Sequence, residues 1–140
     1  MTAPGTVARV VATDTAVELL TKLSELHGGL MIHQSGGCCD GSAPMCYPIG
    51  EYRIGQRDVL LGEVDLPDPL PAVRIWINGD QFELWKHTQL ILDVVSGRGA
   101  GFSLEAPEGV RFLSRSRVFT DDEAAILDAS PPKVGADFDS

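Results

Sequence analysis

Basic residues are scarce in this chain. Lys and Arg total 11 against 20 Asp and Glu, a formal net charge of −9. Nonspecific nucleic-acid affinity is built from basic patches that neutralise phosphates, so this balance argues against nucleic acid as a partner. The same deficit disfavours docking on an anionic membrane. Long apolar runs are also missing, and none approaches the roughly 20 residues needed to span a bilayer. "MTAPGTVARVV" has no basic stretch followed by a long apolar core, so no signal peptide is expected. The expected compartment is the cytoplasm, where thiols stay reduced. Cysteine is rare, with three in 140 residues, and an odd number excludes a complete intrachain disulfide scheme. A domain of this size buries roughly 70% of its unfolded surface, so it needs no cross-link or metal merely to fold.

The few cysteines are all in one place. "HQSGGCCDGSAPMCYP", residues 33–48, holds Cys38, Cys39 and Cys46, with His33 at its start. Thiolates and neutral imidazoles bind soft and borderline metals. Three sulfurs within nine residues cost little loop-closure entropy to bring together. Gly36, Gly37 and Gly41 give the turn freedom to aim adjacent sulfurs in compatible directions, and Pro44 and Pro48 stiffen the exit. A closed zinc site wants four ligands. The missing donor is sought among His33, His87, Asp40 and a cysteine of a second subunit. Two other readings stand beside this one: buried thiols acting as small hydrophobes, and a redox or nucleophilic thiol stabilised by backbone N–H groups. Glu83 and His87 share a face whether "FELWKH" is helix or strand, as an orienter and ligand would require. His27 reads as a surface residue near a helix end. Arg111, Arg115 and Arg117 share a strand face, with pairing to the chain's own acids favoured over an anion site. "SGRGAG" lacks the Lys and Ser/Thr of a P-loop and reads as a hairpin turn.

Periodicity supplies the frame. "ATDTAVELLTKLSELHGG" predicts a helix with Thr15 and Glu18 at capping-box spacing, Val17, Leu20, Leu23 and Leu26 near one face, and a Gly28–Gly29 stop. "GLMIHQ" predicts a short strand feeding the cysteine loop. "EYRIG", "DVLLGEVDL", "AVRIWIN", "TQLILDVV", "GFSLEAP" and "VRFLSRSRVF" are strand candidates. "LPDPLP" is a connector, "NGDQ" a tight turn, and "TDDEAAILDA" a short helix capped by Thr120. No repeat is visible. The expected organisation is a lead-in and first strand over 1–12, one domain over 13–128, and a flexible acidic tail over 129–140. The fold class is α+β, an N-terminal helix packed on a mostly antiparallel β meander.

"MIHQSGGCCDGSAPMCYP", "FELWKHTQLILDVV" and "GFSLEAPEGVRFLSRSRVF" resemble the signature stretches of a bacterial family known as domain of unknown function 779. That family is sometimes labelled acetaldehyde-dehydrogenase-associated, and the likeness implies an aldehyde dehydrogenase as a partner. The order of elements is also similar to the A-type iron–sulfur carriers, the HesB-like fold. "QSGGCCDG" stands where their first cysteine loop would be, and Leu92, Asp93 and "AGFSLEAP" match later segments. By this likeness Cys38 or Cys39 would be the first cluster ligand. The carriers end in a Cys-x-Cys-type pair, and this chain has no cysteine after Cys46.

These readings combine into one expectation: a cytoplasmic, homodimeric metal-binding accessory protein of HesB-like fold. Cys38, Cys39 and Cys46 are the expected thiolate ligands, with His33 and His87 as fourth ligands or orienters. The expected cofactor is iron, as an ion or iron–sulfur cluster, with zinc second. An accessory role is favoured over catalysis. The alternatives are a small thiol- or metal-dependent enzyme and an interaction module for an aldehyde dehydrogenase.

Overall fold

Two short threonine-led turns and a set of period-two strands organise the chain. The computed structural model describes residues 7–34, 44–50, 54–97, 105 and 109–135, the side chain of Leu84 excepted. Among them run β1 (Val10–Ala12), α1 (Asp14–His27), β2 (Leu30–Gln34), β3 (Met45–Pro48), β4 (Val59–Val64), β5 (Val73–Ile77), α2 (Gly79–Trp85), β6 (Thr88–Ser96), β7 (Val110–Val118) and α3 (Asp121–Asp128). The fold is mixed α+β. The strands form two sheets, ordered β1-β6-β7 and β3-β2-β5-β4, where a single meander was expected. β1 pairs β6 and β2 pairs β5 in parallel, while the β2–β3, β4–β5 and β6–β7 pairs are antiparallel.

Alternation assigns the faces. Val10, Leu90, Leu92 and Phe112 of the first sheet share one core with Leu30, Ile32, Val73, Ile75 and Ile77 of the second. α1 adds Ala16, Leu20 and Leu23 to that core, while Leu26 at the edge of the expected stripe is exposed. α1 starts two residues earlier than its capping-box spacing suggests. Thr13 is the cap, because β1 leads directly into it: Thr13 N–H donates to Leu92 O at 2.9 Å, and Thr13 Oγ1 accepts from Ala16 N at 3.2 Å. Gly28, at φ 86°, ends the helix as expected. "NGDQ" is not a hairpin turn. Asn78 Oδ1 accepts from Asp80 N at 2.9 Å and caps α2. Thr120 and Glu123 form a full capping box on α3.

The expected flexible tail is in part a strap. Leu60 N donates to Lys133 O at 2.9 Å, and Gly135 N donates to Asp58 O at 2.7 Å, so residues 133–135 cover the edge of β4. Arg9 holds the approach through the carbonyls of Leu127 and Ser130. A Cβ on Gly135 would overlap Gly55 O, so only glycine fits this approach. Residues 136–140 of the expected tail, "EYR" of the strand candidate "EYRIG" and most of "GFSLEAP" lie outside the described residues.

Asp93 ties three elements together. It accepts from Thr13 Oγ1 at 3.0 Å, from Val94 N at 2.8 Å and from Arg115 Nε at 2.9 Å. Arg115 and then the Val94 amide hold its carboxyl below the usual aspartate range. Arg117, bidentate on Glu123, lowers that carboxyl to about 2, with the Thr120 amide second. A depressed carboxyl stabilises the fold above its unfolded pKa and ceases to do so as pH falls through the folded one. The expected result is a loss of stability between pH 4.5 and about 2, shallower in Glu123→Gln, read from denaturation midpoints across acid pH. A second test concerns the close approach of the sheets. β4 has an irregularity between Leu60 and Gly62, and a Cβ on Gly62 would stand 2.9 Å from Val10 Cγ1. Gly62→Ala is expected to cost about 1–3 kcal/mol by overpacking. Combining it with Val10→Ala should cost less than the sum of the two, as measured by urea titration of the double-mutant cycle.

Candidate functional site

β2 is the central strand that leads into the cysteine segment, and β3 is the strand that returns from it. Their register sets Ile32 opposite Cys46 and His33 opposite Met45. Opposed residues share a face and neighbours alternate. Cys46 therefore points with Ile32 and Gln34 into the space between the sheets, while His33 points with Met31 and Met45 to the far side. All five residues of β2 are buried, so both faces carry a packing demand.

On the inner face the buried polar groups converge. Ser114 Oγ of β7 donates to Gln34 Oε1 at 2.7 Å. Glu105 is 1% exposed, and its Oε2 accepts from Phe112 N at 3.3 Å. Cys46 is fully buried, and its thiol is pushed far above the ordinary range, first by desolvation and then by the nearby Glu105 carboxyl. Desolvation and then the nearby carboxyl thus disfavour the thiolate of Cys46. A cation beside them would favour that thiolate, which is the chemistry a metal needs from its donors. The pair fits a borderline divalent ion, since thiolate and carboxylate are both ligands of zinc and iron.

On the outer face, His33 Nε2 stands 3.1 Å from Asp58 Oδ1, close in distance but poorly aligned for a hydrogen bond. Asp58 is itself fixed, its Oδ2 accepting from Gly55 N at 2.8 Å. Trp76 of β5 lies in register beside His33. This is a buried imidazole–carboxylate pair, the arrangement that orients a histidine ring.

The structure brings some predicted residues together and parts others. Cys46 and His33 reach the same end of one sheet but project from opposite faces. His87 is exposed just after α2, where its carbonyl accepts from Phe119 N. The inner cluster meets β7 at Phe112 and Ser114, roughly 20 Å along the strand from Phe119. His87 therefore does not join Cys46. Glu83 pairs with Lys86 at 3.0 Å, in place of the expected partnership with His87. Cys38, Cys39 and Asp40 lie outside the described residues. Among the described residues, no group of three or more His, Cys, Asp and Glu side chains is arranged to hold a metal ion. Of the three arginines, Arg115 and Arg117 pair with Asp93 and Glu123. Arg111 Nε is buried without a hydrogen-bond partner among the described residues. Glu105 and Asp58 were missed from sequence. Their only signal is an acid at the end of an apolar strand candidate, a position that a solvated carboxylate occupies equally well.

The state of Cys46 gives a direct test. A raised thiol pKa stabilises the fold fully below the unfolded value of 9.0 and progressively less above it, because only the unfolded chain then releases the proton. Metal-free protein is expected to lose stability as pH rises beyond about 9, and Cys46→Ala should flatten that limb. Native-state iodoacetamide labelling followed by peptide mass analysis should leave Cys46 unmodified until denaturant is added.

No helix among the described residues is long and apolar enough to cross a membrane. No curated protein and no solved structure matches the chain. A family model does match, over residues 19–118, which takes in α1 from Leu19, both sheets from β2 onward, and the whole of the inner cluster. The chain belongs to the domain of unknown function family DUF779.

Proposed function

We propose that the protein is a metal-binding accessory protein whose ion is held between Cys46, Glu105 and the thiols of the segment joining β2 to β3. The observation that carries this reading is the burial of the Glu105 carboxyl beside the Cys46 thiol, at the base of the strands that bracket Cys38 and Cys39. The Cys46 thiolate would be favoured with a cation present. Cys38 and Cys39 would complete the set as thiolates, with a second subunit supplying a donor where one chain falls short. That sharing is the role of the homodimer in this proposal. A bound ion would act as a soft electrophilic centre there. The chain's own part is to exclude water with Ile32 and Phe112 and to fix the carboxylate through the Phe112 amide.

A carboxylate among the donors favours a single borderline ion over an iron–sulfur cluster, which is held mostly by thiolates. Iron or zinc as a mononuclear ion fits this donor set. The proposed kinship with the A-type carriers rests on the order of helix, strand and cysteine segment. The link to an aldehyde dehydrogenase rests on the family likeness. His33, oriented by Asp58 on the opposite face, is left as a neighbour of the cysteine segment and not as a companion of Cys46.

Elemental analysis of protein purified without added metal tests the proposal. The expected content is close to one iron or zinc per chain in the wild type. Glu105→Gln preserves an acceptor for the Phe112 amide but removes the charge, and it should lower the content about tenfold or more. Cys46→Ala should do the same. Metal should also raise the melting temperature of the wild type, as any ligand of the native state does, and fail to do so in Glu105→Gln. Unchanged metal content in both variants would overturn the assignment.

A further inference from the structure

A second site lies on the outer face of the four-stranded sheet, near the start of β2. A cavity of about 530 Å³ opens there, within the range that holds small ligands. Its floor is Met31 and Trp76, 5% and 3% exposed. Its walls are Ile49 and Pro71, and Glu63 and Arg74 stand at its mouth. The wall is built in place. Ile49 N donates to Gly29 O at 3.0 Å, and a Cβ on Gly29 would stand 2.8 Å from Ile49 Cδ1, so the side chain is seated against bare backbone. Among the described residues the mouth pairs its charges, Arg74 Nε contacting Glu63 Oε2 at 3.3 Å with both side chains about half exposed. Donor and acceptor stand side by side there.

We propose that this cavity binds a small uncharged molecule with a flat apolar body and one hydrogen-bonding head group. The body lies along Ile49 and Pro71, with Met31 and Trp76 almost wholly buried beneath it. The head meets the Arg74–Glu63 pair, which accepts and donates at once. A carboxylate is disfavoured, because it would have to displace Glu63 from Arg74 on a chain of net charge −9. The groove between α2 and α3 is larger, about 620 Å³, but its lining mixes Arg9, Glu83, Lys86, Asp121 and Asp128 with its apolar side chains. It does not suit the same ligand.

The test uses N-phenyl-1-naphthylamine, a neutral aromatic amine whose emission rises in apolar surroundings, titrated into the full-length folded protein. One saturable site per chain is expected. Ile49→Asp alters a side chain that is 62% exposed and leaves the fold intact, and it should weaken binding about tenfold. Ala72→Trp, which fills the cavity, should abolish it, with unchanged circular dichroism certifying the fold. Val118→Asp, in the other groove, should have no effect. The anionic analogue anilinonaphthalene sulfonate should bind more weakly than the neutral probe. Absence of saturable binding by the wild type, insensitivity to both Ile49→Asp and Ala72→Trp, or tighter binding of the sulfonate would overturn the proposal. So would binding that weakens as protein concentration rises, which would assign the cavity to a second copy of the chain.

Discussion

Both faces of β2 are buried, and that single constraint determines much of the chemistry of this protein. Its neighbours β3 and β5 take its backbone hydrogen bonds, leaving side chains to satisfy everything else. A strand of Leu, Met and Ile alone would meet that condition by packing. Here the last two residues are His33 and Gln34, and a buried polar side chain without a partner costs about 1–3 kcal/mol. The Gln34 amide finds Ser114 far along the chain, and the Asp58 carboxylate stands 3.1 Å from the imidazole. Because Gln34 and Ser114 sit in different sheets, their bond also fixes how the sheets are set against each other. A polar contact in that position specifies one packing where apolar contacts would permit several.

The inner cluster extends the same logic. Gln34 and Ser114 satisfy each other as neutral partners. The thiolate of Cys46 is disfavoured first by desolvation and then by the nearby Glu105 carboxyl, so the thiol keeps its proton. The Phe112 amide donates to that carboxyl. A positive ion would favour the thiolate. The metal reading therefore rests on a buried thiol with a carboxyl nearby in a core that is otherwise largely apolar. Functional sites are where such local departures are expected.

Much of the frame was legible because strands and helices write their periods into sequence. β2, β4, β5, β6 and β7 fall within runs read as strands, and α1 and α3 within runs read as helices. Caps were harder. Thr13 and Thr15 are equally good capping residues, and what selects Thr13 is its bond to Leu92 on β6, a tertiary fact. Asn78 and Gly79 suit a hairpin and a helix start alike. The Asn78 side chain caps the helix start, and Gly79 lies where a Cβ would meet Arg57 O at 2.5 Å. The strap over β4 was invisible, since prolines and acids near a terminus carry no sign of the edge they will cover. The site was half legible. Cys46 and His33 stand out as residue types, but which face each takes depends on register across β2 and β3, and one residue of stagger puts them back to back. Glu105 becomes notable only once it is seen buried beside a thiol.

That back-to-back arrangement also governs how the two sites on this sheet can communicate. The outer cavity and the inner cluster share β2 but no side chain, and the sheet backbone lies between them. Trp76 belongs to the outer side, where it forms part of the cavity floor and lies in register beside His33 at the other end of the strand. An influence of a bound apolar molecule on the imidazole and its neighbouring carboxylate would pass through that indole, without crossing the hydrogen-bonded sheet. Trp76 and His33 are both nearly fully buried in a close-packed setting. Movement of one ring without the other would open a void, and such voids cost more than small concerted shifts. The pair therefore couples positions along the outer face alone, and its stiffness follows from the same double burial of β2.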